Sequence, residues 1–180
     1  MTDLIKIVVL GPESTGKSTL CESLARYFNT IWVPEYARAY LLKNGTDYVF
    51  DDLLTIAQGQ LNLETNYTNI AIEQNKALLI IDTDQYVMKV WCEFVFNDCH
   101  NWILNQIVAQ DYDLYLLCKP DLPWVKDELR EYPDEGPRQQ LFHMYKDLLI
   151  HQSTPWVEIS GSYEERTQRA IAAVKQILIK

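Results

Sequence analysis

Residues 11–18 read Gly-Pro-Glu-Ser-Thr-Gly-Lys-Ser, a complete G-x-x-x-x-G-K-S/T phosphate-binding loop. The run before it, at residues 4–10, is apolar and rich in β-branched side chains, which is typical of a buried strand. After it, Leu20, Leu24 and Phe28 recur at helical spacing and predict a helix. A phosphate-binding loop requires a strand, a glycine loop and a helix in this order. Both the residues of the motif and the segments around it therefore support a phosphate-binding loop.

The residue types of this loop suit the binding of phosphates. Gly11 and Gly16 allow turns that are closed to other residues and let the backbone approach a phosphate. The loop amides and the helix N-terminus would face the anion, Lys17 would add a cation, and the Ser18 hydroxyl can bind Mg²⁺. The predicted nucleotide-binding residues are Gly11, Glu13, Ser14, Thr15, Gly16, Lys17, Ser18 and Thr19.

Composition and charge narrow the class of protein. The 180 residues are 48% hydrophobic and 23% charged, as in an ordinary globular domain. The net charge of −9, without a basic cluster, argues against nucleic-acid partners but not against a nucleotide, whose phosphate pocket is built locally. No apolar run approaches the roughly 20 residues of a membrane span, and the N-terminus shows no signal-peptide pattern. The four scattered cysteines favour a reduced cytoplasm.

The rest of the chain alternates between strand-like and helix-like segments. Further strands are predicted at 30–33, 77–81, 113–118 and 156–159. Helices are predicted at about 35–42, 51–75, 86–96 and 101–110, from the end of the loop at residue 137 to about His151, and from the capping box at 162–165 to the C-terminus. The expected N-cap of the long third helix is Asp51 or Asp52. This pattern predicts an α/β, three-layer P-loop NTPase fold with a five-stranded, mainly parallel sheet, as a single domain over residues 1–180.

Residues 119–137 interrupt this alternation. They contain four prolines among many charges, which predicts a long loop with at most one helical turn, and a lid over about 119–138. Trp124 in such a loop suits stacking on an aromatic ring, and better on a cationic one. Arg130 and Arg138 would close over the nucleotide phosphates and exclude water. An ordinary solvated loop is the alternative.

Acidic residues follow the second and third predicted strands, at the edge of the sheet where ligands bind. Asp82 comes directly after an apolar strand, like the acid that supports Mg²⁺ in phosphate-loop enzymes, and Asp84 lies two residues further on. Glu35 could accept a hydroxyl proton during phosphoryl transfer, and Arg38 could bind an anion or hold that carboxylate. The alternative is that these acids lie at the first turns of helices and stabilise the helix dipoles. The identity of the general base stays open among the three carboxylates.

Four segments together resemble the ribosylnicotinamide kinase domain of the bacterial NadR-type NAD-biosynthesis proteins. They are Gly-Pro-Glu-Ser-Thr-Gly-Lys-Ser (11–18), Val-Pro-Glu-Tyr-Ala-Arg (33–38), Asp-Thr-Asp (82–84) and Asp-Leu-Pro-Trp-Val-Lys-Asp-Glu-Leu-Arg (121–130). The first segment is generic, whereas the second and fourth are far more specific, and the resemblance covers nearly the whole chain. Such proteins often carry an adenylyltransferase domain, and some a DNA-binding domain, ahead of the kinase. Because the first predicted strand begins at about residue 4, we expect neither here.

The resemblance implies ATP- and Mg²⁺-dependent phosphorylation of the 5′-hydroxyl of nicotinamide riboside, which yields nicotinamide mononucleotide. The residues expected to be catalytic are Lys17, Glu35, Asp82 and Arg130. Those expected at the substrate are Glu35, Arg38, Asp84, Trp124 and Asp127. The expected metal ligands are Ser18 and Asp82. Arg138 is expected to join the loop residues in binding ATP.

Two other functions stay open. The first is a kinase of another nucleoside or nucleotide, although the pair Trp124 and Asp127 favours a cationic acceptor over a phosphorylated one. The second is a regulatory ATP-binding switch, in which the segment 119–137 would bind a partner protein; the chain has no Asn-Lys-x-Asp motif for reading guanine. We expect small-molecule partners, no nucleic acid and no membrane, and a homo-oligomer is possible.

Overall fold

The computed structural model describes residues 4–179, so residues 1–3 and 180 of the predicted domain lie outside the described part. Strands and helices alternate along the chain. The strands are β1 (Ile5–Leu10), β2 (Trp32–Val33), β3 (Leu78–Asp82), β4 (Leu114–Cys118) and β5 (Trp156–Ile159). The helices are α1 (Lys17–Tyr27), α2 (Tyr36–Asn44), α3 (Phe50–Glu73), α4 (Gln85–Phe96), α5 (Asn101–Ala109), α6 (Glu135–Ile150) and α7 (Tyr163–Leu178).

Within residues 4–179, the strands form one sheet in the order β2-β3-β1-β4-β5, and every pairing is parallel. Strand β1 is central: Val9 lies opposite Asp82 of β3 on one side and opposite Leu116 of β4 on the other. The predicted α/β fold with a mainly parallel, five-stranded sheet is confirmed. All strands point the same way, so the loops that follow β1, β2, β3 and β4 meet at one edge.

Helices cover both faces of the sheet. On one face, Ile7 packs with Leu24 of α1 and Val174 of α7. On the other, Val8 packs in a cluster that includes Phe142 of α6. Both faces are apolar because a parallel sheet between two helical layers is buried on both sides. None of the helices within residues 4–179 is both long and apolar enough to cross a membrane.

Two helix starts test the predicted caps. The capping box of α7 is confirmed, because Ser162 Oγ accepts a hydrogen bond from the Glu165 amide and the Glu165 carboxylate accepts one from the Ser162 amide. The predicted cap of α3 at Asp51 or Asp52 is wrong, because the helix begins at Phe50. Asp52 instead reaches back to the Val49 amide at 2.8 Å, so this acid caps the helix from its first turn.

Helix α6 starts earlier than predicted. It begins at Glu135, so Pro137 and Arg138 belong to its first turn and not to the loop before it. Proline is tolerated there because the first amides of a helix have no partner within the helix. The irregular stretch is therefore residues 119–134, which we call the lid segment; its one short turn is at Glu128 and Leu129.

The contact between α2 and α3 depends on a residue without a side chain. A Cβ atom added to Gly59 would lie 2.1 Å from the Tyr36 ring. We expect Gly59→Ala to lower the free energy of unfolding by about 1–3 kcal/mol through overpacking, although alanine favours helices. Urea unfolding measures this change.

The matched control is Gly136→Ala in the first turn of α6, where an added Cβ would have no atom within 4 Å. This variant should be more stable than the wild type by about 0.5 kcal/mol. A Gly59→Ala protein stabilised to the same extent would contradict close packing at Tyr36.

Candidate active site

The loop between β1 and α1 has the backbone that its glycines predict. Gly11 has φ 144° and Gly16 has φ 76°, both in a region that favours glycine. A Cβ atom on Gly11 would lie 2.6 Å from the carbonyl oxygen of Cys118, so the loop also passes too close to the end of β4 for a side chain. Ser14 is left-handed as well, with φ 55°. Another residue at Gly11 would therefore displace the loop.

The interior of this loop is suited to an anion. Lys17 Nζ donates to the Pro12 carbonyl oxygen at 3.0 Å, and Thr15 Oγ1 donates to the same oxygen at 2.7 Å. This partner of Lys17 is a neutral carbonyl, so the contact leaves the ammonium charge available to a phosphate. Helix α1 begins at Lys17, so its first amides add a partial positive charge at the same place.

Ser18 and Asp82 form a pair with the chemistry of a magnesium site. Ser18 Oγ donates to Asp82 Oδ2 at 2.5 Å, while the other carboxylate oxygen is buried and has no partner within residues 4–179. Burial, with a contribution from the charge of Glu35, raises the pKa of Asp82 to about 6. A hydroxyl and a carboxylate are hard oxygen ligands of the kind Mg²⁺ prefers, and this ion usually takes its other ligands from water and phosphates. The described residues contain no cluster of three or more His, Cys, Asp or Glu side chains that could hold a metal ion.

A buried arginine that the sequence motifs do not reveal supports the loop from behind. Arg166 in α7 is 2% exposed. Its guanidinium binds the carbonyl oxygens of Thr15, Lys119 and Gly161 and the carboxylate of Asp121. It therefore joins the phosphate loop, the exit of β4 and the turn before α7. The one sequence signal is that Arg166 lies four residues before Ala170, on the face of α7 that is buried.

The lid segment is fastened to the phosphate loop. The Glu13 carboxylate accepts hydrogen bonds from the Trp124 indole at 3.3 Å, from the Glu131 amide at 2.9 Å and from the Tyr132 amide at 2.7 Å. The Glu13 side chain, which belongs to the predicted nucleotide-binding set, is thus engaged with the lid segment.

A second tie connects the lid segment to α2. Both nitrogens at the end of the Arg38 side chain donate to the Asp127 carboxylate, at 3.1 and 3.2 Å. The hydrogen bond from Arg38 and the one from the Leu129 amide hold the pKa of Asp127 below its ordinary value. Arg38 and Asp127, both predicted to contact substrate, therefore bind each other. Arg130 turns back to donate to the Val125 carbonyl oxygen at 2.5 Å.

A cleft lies between the phosphate loop, α2 and the lid segment. The predicted site residues that line it are Gly11, Glu13, Ser14, Thr15, Gly16, Lys17, Ser18, Thr19, Glu35, Arg38, Asp127 and Arg130. The structure therefore brings most of the predicted set together around one space. Their roles toward ATP and substrate stay predictions.

Three other predicted residues lie beside this cleft and do not line it. Asp82 lies beneath it, fully buried behind Ser18. Asp84 caps α4 by accepting from the amides at positions 86 and 87, and burial raises its pKa to about 7. Trp124 directs its indole nitrogen to Glu13. Direct contact of Asp84 or Trp124 with substrate stays a prediction, and the structure gives both side chains other partners.

Arg138 is the fourth predicted residue that does not line the cleft. It is 6% exposed, and its Nε and Nη1 atoms have no hydrogen-bond partner within residues 4–179. It lies one turn before Leu141, which lines the cleft, on the same face of α6. An unpaired, buried guanidinium is costly, so this position is suited to receive an anion such as a phosphate.

Part of the cleft is lined by aromatic side chains, which the sequence motifs did not indicate, and we call this part the aromatic wall. Its aromatic residues are Trp91, Phe94, Tyr132 and Tyr145. Trp91 is oriented by a hydrogen bond to the hydroxyl of Tyr48, which itself donates to the Glu131 carboxylate at 3.1 Å. This wall thus combines ring faces with a carboxylate, and it suits a flat ligand that carries a positive charge.

Residues 6–166 match the protein family described as an AAA domain. The chain belongs to this AAA-domain family. It is also 28% identical, over 177 residues, to the trifunctional NAD biosynthesis/regulator protein NadR of Escherichia coli (strain K12) and to that of Salmonella typhimurium. The alignment covers 96% of this chain but 42% of each relative, so the chain spans less than half of their length. The resemblance predicted from the four segments is confirmed.

Solved structures show the same fold. A crystal structure of a NadR protein in complex with NR has a TM-score of 0.78 at 24% identity, and one in complex with NAD and AMP-PNP has 0.74 at 23%. Each match covers 97% of this chain and 49% of the other. Thymidylate kinase from Ehrlichia chaffeensis has a TM-score of 0.68 at 16% identity, with coverage of 94% and 98%. At these identities the likeness establishes the architecture.

Replacing the buried arginine tests its role behind the loop. Arg166→Leu should lower the free energy of unfolding by about 3 kcal/mol, because it leaves the carbonyl oxygens of Thr15, Lys119 and Gly161 without this donor. Asp121 contributes less, since its carboxylate is partly exposed and still accepts from the Gly161 amide. Chemical denaturation measures the loss. The control on the same helix is Arg169→Gln, which should change stability by less than about 0.5 kcal/mol, because Arg169 is exposed and donates a hydrogen bond to the Ser160 hydroxyl at the surface. Equal effects of the two substitutions would contradict this role.

Proposed function

We propose that this protein is a kinase that transfers the γ-phosphoryl group of ATP to the 5′-hydroxyl of nicotinamide riboside, giving nicotinamide mononucleotide. The observation that carries the proposal is the cleft in which the phosphate loop faces Glu35 and an aromatic, acidic wall. Phosphoryl transfer depends mainly on holding donor and acceptor side by side and on stabilising the charge of the moving group. This cleft is lined both by residues suited to bind the phosphate donor and by residues suited to bind the acceptor, so it meets that requirement.

The similarity to NadR supports the choice of donor and acceptor. One NadR crystal structure is in complex with NR and a second is in complex with NAD and AMP-PNP, an ATP analogue, and both matches extend over nearly all of this chain. The proposal concerns only the portion of NadR that this chain covers. ATP and Mg²⁺ are accordingly the proposed donor and metal.

The phosphate loop would hold the donor. Its amides and Lys17 bind the β- and γ-phosphates, while Arg130 and Arg138 stabilise charge on the transferring group. Ser18 and Asp82 would hold Mg²⁺, which supplies charge neutralisation at the phosphates.

Glu35 is the best placed of the three carboxylates to receive the proton of the acceptor hydroxyl. It lines the cleft at the start of α2, whereas Asp82 is fully buried and bonded to Ser18, and Asp84 is buried and caps α4. In a loose transition state the base mainly orients the hydroxyl and takes its proton late. We therefore assign proton acceptance to Glu35 and metal support to Asp82.

The aromatic wall would bind the nicotinamide ring. The pyridinium of nicotinamide riboside is flat and positively charged, so the ring faces of Trp91 and Tyr132 and the carboxylate of Glu131 attract it together. Trp124 and Asp127 stay proposed contacts of the nicotinamide riboside, and in this structure their partners are Glu13 and Arg38.

We further propose a single kinase domain that acts on small molecules in the cytoplasm. The acidic charge and the absence of a basic cluster in the sequence disfavour nucleic acid and membrane surfaces as partners. A homo-oligomer stays compatible with this function.

An assay of acceptor specificity tests the proposal. Phosphorylation of nicotinamide riboside should exceed that of cytidine, uridine, thymidine and adenosine by at least about tenfold, because only the first carries a cationic ring. Lys17→Ala should lower kcat/KM by about 10²–10³. Preference for another nucleoside would overturn the acceptor, and ATP binding without turnover of any acceptor would favour the regulatory switch.

A pair of isosteric variants tests the roles of the two carboxylates. Glu35→Gln should lower kcat by about 10² or more while the Mg²⁺ concentration for half-maximal activity stays unchanged. Asp82→Asn should raise that Mg²⁺ concentration, because it removes a charged oxygen beside Ser18. Steady-state kinetics over a Mg²⁺ titration measure both. The opposite pattern would exchange the two assignments.

A further inference from the structure

Glu13 occupies a position that the phosphate-loop motif leaves free. The main chain of such a loop surrounds phosphates, and a carboxylate beside them would repel the ligand. Here the carboxylate is directed to the lid segment, where it accepts from two consecutive amides, at positions 131 and 132, and from the Trp124 indole. Hydrogen bonds to a charged acceptor are stronger than neutral ones, so these contacts form a firm tie.

The neighbouring residue adds to this tie. Ser14 Oγ accepts from the Val125 amide at 3.0 Å, and the carbonyl oxygen of Val125 accepts from Arg130. Two side chains of the phosphate loop thus bind both ends of the stretch 124–132, and Arg130 lies between those ends. Arg130 and Lys17 line the same cleft.

We propose that Glu13 is a positioning residue that fastens the lid segment to the phosphate loop and so holds Arg130 at the transferring phosphoryl group. This inference rests on the proposed kinase function for the role of Arg130, but the fastening itself does not depend on it. Phosphate loop and lid segment would then move as one unit, and water would be excluded when the nucleotide is bound.

Amide hydrogen exchange, followed by NMR, tests the fastening directly. The Glu131 and Tyr132 amides bind different oxygens of Glu13. In Glu13→Gln one of these oxygens becomes an NH₂ group that cannot accept, so at least one of the two amides should exchange at least about tenfold faster than in the wild type. The control Glu22→Gln, at an exposed acid in α1, should exchange as the wild type does. Unchanged exchange at both lid amides would overturn the proposal.

A second variant keeps this test decisive if Glu13→Gln fails to fold. Trp124→Phe removes only the indole donor and leaves the carboxylate in place. It should accelerate exchange of the same two amides by a smaller factor, while amides of the central strand β1 exchange as in the wild type. If neither amide exchanges faster in this variant, the hydrogen bond between the Trp124 indole and the Glu13 carboxylate does not help to fasten the lid segment.

A double-mutant cycle tests whether Glu13 acts through Arg130. Glu13→Gln alone should lower kcat about tenfold with a smaller change in the KM for ATP, and Arg130→Ala should lower kcat further. The double variant should equal Arg130→Ala, because the arginine that Glu13 positions is already gone. A further tenfold loss in the double variant would overturn the action through Arg130. If the wild type phosphorylates no acceptor, the proposed function fails, and the exchange experiment still decides whether Glu13 fastens the segment.

Discussion

The guanidinium of Arg166 is the contact on which the site most depends, because it joins segments that are far apart in sequence. Thr15 in the phosphate loop, Lys119 after β4 and Gly161 before α7 each give it a carbonyl oxygen, and Asp121 gives it a carboxylate. A buried guanidinium is stable only when its donors are satisfied and its charge is paired. The loop, the start of the lid segment and the last helix are therefore held in one arrangement.

Beside the cleft, two buried charged side chains have polar atoms without hydrogen-bond partners within residues 4–179. Arg138 has two buried nitrogens without partners in the described part of the chain, and Asp82 has one such oxygen. Unpaired buried groups cost free energy of folding, and they often occur where a ligand completes the hydrogen bonds. A phosphate beside Arg138 and a cation beside Asp82 would remove both costs. The opposite signs of the two groups match a nucleotide bound with Mg²⁺.

How much the sequence could predict depends on the range of each interaction. The phosphate loop, the strands and the capping box at Ser162 are local patterns, and they were predicted correctly. The cap of α3 and the start of α6 were wrong by a few residues, because Asp52 and Pro137 are compatible with more than one position in a first helical turn. The aromatic wall and the hydrogen bonds of Arg166 join segments that are distant in sequence. No local sequence pattern therefore predicts them. Trp91, for example, becomes a wall residue only when α4 packs beside the lid segment.

Within the phosphate-loop motif, the positions where the residue type is fixed and the positions where any residue is allowed have different roles. The defined letters Gly11, Gly16, Lys17 and Ser18 form the cradle, since their backbone, charge and hydroxyl are what phosphates and Mg²⁺ require. The undefined letters are free of that requirement, and the side chain of Glu13 is directed to the lid segment instead. The phosphate loop is thereby connected to a second segment of the chain. Acidic or hydroxylic residues at undefined positions of a phosphate loop are, on this argument, the place to look for contacts that couple the loop to its lid.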